Sequence, residues 1–264
     1  MPSTPVVVLD STLTNIADAI RGKNGSSDTY KPSEMPAAIT AIPSGGGEGI
    51  PREVDANGVY GIPTQSFSFS LPANATDMAS NALYYAFYGC TAITSVDFSS
   101  LTTVSSTSAI YYAFSGCTAL TSVDFSSLTT VSGTSALSRA FEGCVALTSV
   151  DFSSLTTVSG TYALSRAFIG CTALTSVDFS SLTTVSSTSA LSRAFEGCTR
   201  LTSLSFPALT ASSFGSYTNQ FNGMLSGCSN VTVHFPAAIQ STIGSWSDVT
   251  NGFGGTNTTV LFDL

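Results

Sequence analysis

Residues 114–140 read FSGCTALTSVDFSSLTTVSGTSALSRA, and the same 27 letters return with few changes at 141–167 and again at 168–194. A unit that short cannot bury an apolar face by itself. Copies placed side by side can, because equivalent residues then stack into continuous columns. The interval holds beyond the three best copies: Cys90, Cys117, Cys144, Cys171 and Cys198 are 27 residues apart, and Cys228 follows after 30.

Each copy divides into two short pieces. In the copy that ends at Cys144, Leu137, Ala140, Phe141 and Cys144 stand at i, i+3, i+4 and i+7. That stripe predicts a helix of about two turns, with Ser135 as its N-cap and Gly143 as its stop. Leu147, Val150, Phe152, Leu155 and Val158 then follow the pattern L-x-x-V-x-F-x-x-L-x-x-V, in which Val-x-Phe alternates as a strand must. Equivalent strands would pair into a parallel sheet.

This spacing resembles leucine-rich repeats. The run Ala86-Phe87-Tyr88-Gly89-Cys90 through Val96, with its counterparts down to Ala194-Phe195-Glu196-Gly197-Cys198 through Leu204, resembles the BspA-like bacterial class over roughly residues 80–235. The resemblance implies an α/β solenoid with a parallel sheet on one side and short helices on the other. Two departures stand out: the repeats are about four residues longer than is usual for the class, and Met224-Leu225 replaces Ala-Phe in the last copy. The extra residues are assigned to the Ser/Thr-rich turn such as Ser132-Gly133-Thr134.

The ends read differently. Residues 1–44 are predicted to form a small helical hairpin, from Leu13, Ile16 and Ile20 on one side of a first helix and Lys31-Pro32-Ser33-Glu34 opening a second. Residues 45–60 are a Gly-rich linker, 61–235 the solenoid, and 236–264 a capping module. Within that frame Ser66–Leu71 is expected as an imperfect first strand, Pro236–Ser245 as helical and Thr258–Phe262 as a closing strand. Leu13–Ile42 is similar to helical modules of phage tail and other virion-associated proteins of Firmicutes, and Val233–Leu264 to modules that close such arrays in gut Firmicutes and their phages.

Composition narrows the function. Charged residues are 9% of the chain, where about 25% is usual, whereas Ser and Thr supply 81 of 264 residues. A net charge of −8 opposes sequence-independent binding to nucleic acid, which needs Lys and Arg against phosphates. No stretch approaches the roughly 20 apolar residues of a membrane span, and Met1–Ser11 lacks a signal peptide's basic and apolar regions.

Two surfaces are candidates. If Val150 and Phe152 face inward, Ser149 and Asp151 face outward, as do Ser95, Asp97, Ser122, Asp124, Ser176, Asp178 and Ser205. The four aspartates would then form a carboxylate ladder, read either as a solvated face or, against calcium's preference for six to eight wrapped oxygens, as a cation site. His234, the one histidine, takes an aspartate-equivalent position, either as a plain polar strand residue or as a pH-sensitive contact. The second surface is Tyr84, Tyr85, Tyr111 and Tyr112, which become Ser and Arg in later copies; it reads as a binding patch or as a cover for the first coils. The cysteines read as buried free thiols, because a ladder of parallel side chains directs sulfurs poorly for disulfides and no C-x-x-C accompanies them.

The expectation is a non-enzymatic recognition module that needs no cofactor. It would bind protein or surface glycan at a cell surface or on a virion, with the N-terminal helices as a route to oligomers. A phage-tail protein is the first setting, and a BspA-like adhesin for host proteins the alternative.

Overall fold

The computed structural model describes residues 66–71, 73–214 and 219–264, so the expected hairpin at 1–44 and linker at 45–60 lie outside the described residues. Within them the chain winds as a parallel solenoid. One wall is a sheet of β1 (Phe67–Ser70), β2 (Ile93–Asp97), β4 (Ser122–Asp124), β6 (Ser149–Asp151) and β8 (Ser176–Asp178), in that order. A second wall stacks two-residue strands, β3 (Thr103–Val104), β5 (Thr130–Val131), β7 (Thr157–Val158) and β9 (Thr184–Val185). The array ends in β10 (Ser203–Ser205), β11 (Thr232–Phe235) and β12 (Thr259–Phe262), also parallel. Register advances by one repeat per strand: Ser122 faces Ser149, Val123 faces Val150, and Asp124 faces Asp151.

The alternation that predicted the strands also builds the core. Phe98, Phe125, Phe152, Phe179, Phe206, Phe235 and Phe262 form one stacked column, with ring centroids 5.1–5.8 Å apart. Phe87, Phe114, Phe141, Phe168 and Phe195 form a second at 5.1–5.7 Å. The two columns meet edge to face, as between Phe125 and Phe141 at 6.0 Å, the arrangement ring quadrupoles favour.

The third wall departs from the expected helix. The predicted apolar stripe Leu137, Ala140, Phe141 and Cys144 is fully buried, yet its backbone makes successive turns. Ser138, Ala140, Glu142 and Cys144 donate their N–H groups to the carbonyl three residues back, while Leu137, Arg139, Phe141 and Gly143 donate across to the next coil. Ser135, Arg139 and Gly143 are left-handed, and the latter two occupy the third position of turns Leu137–Ala140 and Phe141–Cys144, as type II turns require. The reason is spacing. Sheet hydrogen bonds hold coils about 4.8 Å apart, whereas packed helices need 8–10 Å between axes. With both phenylalanine columns stepping equally, the stack leaves no room for helices, and half of the wall's N–H groups become inter-coil bonds. The helices found among the described residues are single turns near the C-terminus, α1 (Gln240–Ile243) and α2 (Ser247–Thr250), with 3-10 turns beside them.

Hydroxyls and thiols fill the remaining columns. Thr129 Oγ1 donates to the Thr102 carbonyl at 2.9 Å, Thr156 to Thr129 at 3.0 Å and Thr183 to Thr156 at 3.1 Å. Thr121, Thr148 and Thr175 form a parallel ladder, each hydroxyl donating one coil back. A side chain that both donates and accepts can stand beside its own copy, which a charge cannot do without repulsion, so the excess of Ser and Thr follows from the stacking. All six cysteines are free and buried. Five donate S–H to the phenylalanine carbonyl of the previous coil at 3.1–3.2 Å, as from Cys144 to Phe114. Burial pushes every one of these thiols up. A disulfide-exchange reagent is therefore expected to titrate none of the six thiols in the native chain at mildly alkaline pH and all of them after denaturation; prompt native labelling would contradict this packing.

One glycine column marks a close approach. Gly133 and Gly160 sit just after the second sheet, where a Cβ on Gly160 would lie 2.2 Å from the Gly133 carbonyl oxygen. Near the C-terminus, Asp248 of α2 is 6% exposed, one of its carboxylate oxygens has no hydrogen-bond partner among the described residues, and desolvation raises its pKa. A carboxyl raised on folding stabilises while protonated and loses that contribution as pH climbs through its folded value. Asp248→Asn should therefore gain about 1 kcal/mol over the parent near neutrality, a difference that shrinks toward about pH 4 in paired thermal melts.

Candidate functional site

The strand wall presents its hydroxyls and carboxylates in register: Ser95 beside Ser122, Ser122 beside Ser149 and Ser149 beside Ser176, with Asp97, Asp124, Asp151 and Asp178 in the parallel row. Each aspartate also has a local task. Its Oδ1 accepts the backbone N–H two residues on, from Ser99, Ser126, Ser153 and Ser180, at 2.8–2.9 Å. These are Asx turns that bend the chain out of each strand. Beside Asp151 and Asp178 lies an open depression of about 560 Å³, floored by Val150 and Val177 and bounded by Ser176, Ser205 and Pro207. Among the described residues no group of three or more His, Cys, Asp or Glu gathers closely enough to hold a metal. Asp151→Asn, which keeps the acceptor oxygen, should leave the melting temperature nearly unchanged, whereas Asp151→Ala should cost about 1 kcal/mol in chemical denaturation. Equal losses in both would show that the charge itself is needed.

His234 is placed differently from the isolated polar residue that the sequence suggested. It faces Leu261 across β11 and β12, so Asp263, two residues further, lies on the same side; its carboxylate is 3.0–3.1 Å from His234 Nδ1. The partner comes from the next coil, 29 residues away, inside the degenerate end of the array.

The tyrosines occupy the turn wall, apart from the aspartate row. Tyr84 stacks on Tyr111 at 5.2 Å and Tyr85 on Tyr112 at 4.7 Å, both at 13° between planes. Tyr88, which the sequence reading did not single out, joins them at 5.5 Å from Tyr85. Its counterpart one coil on is Ser115, so the repeat gave no signal for it. All five rings are half-buried. Burial and neighbouring phenols raise Tyr85, and burial raises Tyr112, so both remain neutral hydrogen-bond donors. The Tyr85–Tyr112 column continues as Arg139, Arg166 and Arg193. Arg139 lies 5.2 Å over the Tyr112 ring and bonds Glu142 at 3.0 Å, and Arg193 is 3.6 Å from Glu196, the i,i+3 pairs expected from the sequence.

No curated protein matches the chain. Three solved structures are similar at low identity. The leucine-rich repeat protein from Bacteroides ovatus is 19% identical, covering 74% of this chain and 54% of that one, with a TM-score of 0.29. This chain thus spans about half the length of that protein. The pneumococcal vaccine antigen PcpA is 12% identical over 80% of this chain and 82% of its own, with a TM-score of 0.24. A leucine rich cell surface protein from Faecalibacterium prausnitzii is 17% identical over 72% and 78%, with a TM-score of 0.15. The family model for the BspA type leucine rich repeat region matches in six copies across residues 57–164 and 80–225. With its columns, its register and that match over more than half its length, the chain belongs to the BspA type leucine-rich repeat family.

Proposed function

We propose that this chain is a non-enzymatic recognition module, exposed at a cell surface or on a virion, whose coils form a rigid platform for protein or surface glycan. One observation carries the reading. The inward columns are nearly constant, while the turn wall varies from coil to coil and gathers Tyr84, Tyr85, Tyr88, Tyr111 and Tyr112 half-exposed on one side. Half-exposed tyrosines give contact area at low entropic cost and carry a polar tip, which suits recognition. The phage-tail setting draws support from the likeness of Leu13–Ile42 to virion-associated modules; the adhesin setting draws on the family.

The test is a binding screen of the full chain against bacterial surface polysaccharides and surface proteins, beside the double variant Tyr84→Ser, Tyr111→Ser. Serine occupies the same column at Ser138, Ser165 and Ser192, so the variant is built to fold. The expected result is saturable binding that the variant loses while its melting curve stays in place. Failure of every surface component to bind would defeat the reading. Tail genes beside the coding gene favour the virion; secretion or wall-anchoring genes favour the adhesin.

A further inference from the structure

The Arg166 coil breaks the pattern of its neighbours. Where Glu142 pairs with Arg139 and Glu196 with Arg193, the third residue after Arg166 is Ile169. Among the described residues the Arg166 guanidinium therefore has neither an acidic partner nor a hydrogen bond that occupies its donor fork. In the same coil, four residues earlier and also left-handed, Tyr162 is 46% exposed, a ring where the neighbouring coils carry Ser135 and Ser189. Between this coil and the five tyrosines lies only the Arg139 coil, and the column steps regularly: Tyr85 to Tyr112 is 4.7 Å and Tyr112 to the Arg139 guanidinium 5.2 Å. From Tyr85 to Arg166 is thus three coils, about 14 Å at sheet spacing.

We propose that this strip, from Tyr85 to Arg166, binds a short segment of an acidic polysaccharide, with saccharide hydroxyls against the phenol edges and a carboxylate on Arg166. It deepens the recognition reading above and rests on it. The chemistry selects the ligand class. The stacked rings turn their faces toward one another, so the strip presents phenol edges and hydroxyls in a row at one coil's step, which suits the evenly spaced hydroxyls of a linear saccharide polymer more than the irregular relief of a folded protein. A planar guanidinium with open donors takes a carboxylate in two parallel hydrogen bonds. Glu142 and Glu196 flank Arg166 on the adjoining coils, so a polymer with a phosphate on every unit would meet them, whereas a sparsely carboxylated chain places its charge at the unpaired position.

The experiment measures affinity of the full chain for oligomers of hyaluronan and of partly methyl-esterified polygalacturonate, in which only some sugar units carry a carboxylate, with neutral dextran as reference. Ile169→Glu copies the adjoining coils and should close Arg166 with the same i,i+3 pair; Arg166→Asn removes the fork with a residue suited to a left-handed backbone. Tyr162→Ser restores the residue of the neighbouring coils. Wild type should prefer the acidic oligomers, and Ile169→Glu and Arg166→Asn should each weaken them about tenfold with melting unchanged, while Arg166→Lys keeps an intermediate affinity. Tyr162→Ser should weaken acidic and neutral oligomers alike. Equal binding of dextran and the acidic oligomers, or wild-type affinity in both Ile169→Glu and Arg166→Asn, overturns the proposal. A chain that binds a surface protein through its tyrosines and no saccharide overturns it too, but leaves the recognition module standing; a chain that binds no surface component removes both.

Discussion

Phe152→Ala is expected to lower the unfolding free energy by about 3–5 kcal/mol, the cost of emptying a buried aromatic site. Phe152 is fully buried, 5.2 Å from Phe125 on one side and 5.7 Å from Phe179 on the other, with Phe168 edge-on at 6.2 Å. No backbone can close that gap, because hydrogen bonds fix the coil spacing on all three walls. A solenoid's stability is a chain of nearest-neighbour terms, so a mid-column vacancy weakens two interfaces at once. Denaturant unfolding followed by circular dichroism should show a lower midpoint and a broadened or split transition. Phe262→Ala gives the contrast: that ring ends the column, is partly exposed and, among the described residues, stacks on Phe235 alone at 5.8 Å, so its loss should be less than half as large. Equal losses at the two positions would mean that the column does not act as a stack.

Gly160→Val is expected to cost about 3 kcal/mol, the upper range for forcing atoms into a packed position. Its Cβ would fall 2.2 Å from the Gly133 carbonyl oxygen and 2.8 Å from that of Ser132, both backbone atoms that cannot swing away. The next coil shows what yielding involves. Ser159 and Gly160 both donate to the Val131 carbonyl, at 3.0 and 3.4 Å, but in the following coil Ser186 donates to Val158 at 3.2 Å and Ser187 makes no such bond. A small side chain is thus accommodated by giving up one inter-coil hydrogen bond, so Gly160→Ser should cost only about 1 kcal/mol. Thermal melts of the two variants decide it: if valine and serine cost the same, the missing bond sets the price and the close approach does not matter.

The fold was legible wherever a residue repeats. Val150, Phe152, Leu155 and Val158 announce the strands and the buried columns, and the cysteine interval announces the coil. The turn wall was not legible. Leu137, Ala140, Phe141 and Cys144 satisfy a helix and a run of four-residue turns equally well over so short a stretch, and the deciding constraint is the distance to the next coil, which no single copy carries. The positions of Arg139 and Gly143 were the available clue, since an arginine and a glycine share left-handed geometry four residues apart. Of the candidate surfaces, the aspartates fell where alternation puts them, but their Asx turns follow from the path of the chain after each strand. Tyr88, Tyr162 and Asp263 escaped notice because each is an exception in its column, and a reading that searches for periodicity passes over exceptions.

The inter-coil hydrogen bonds of the turn wall carry one further consequence. A donor such as Arg139 N–H meets the Ser165 carbonyl just as Tyr112 N–H meets that of Ser138, at 3.1 and 3.2 Å, so neither distinguishes its neighbour from the coil beyond. Deleting or duplicating one 27-residue unit would rejoin the backbone ladder and the repeated apolar columns without a mismatch. Gain or loss of whole 27-residue units can therefore lengthen or shorten the array coil by coil, changing how far its surface reaches while leaving the backbone ladder and the apolar columns as they were.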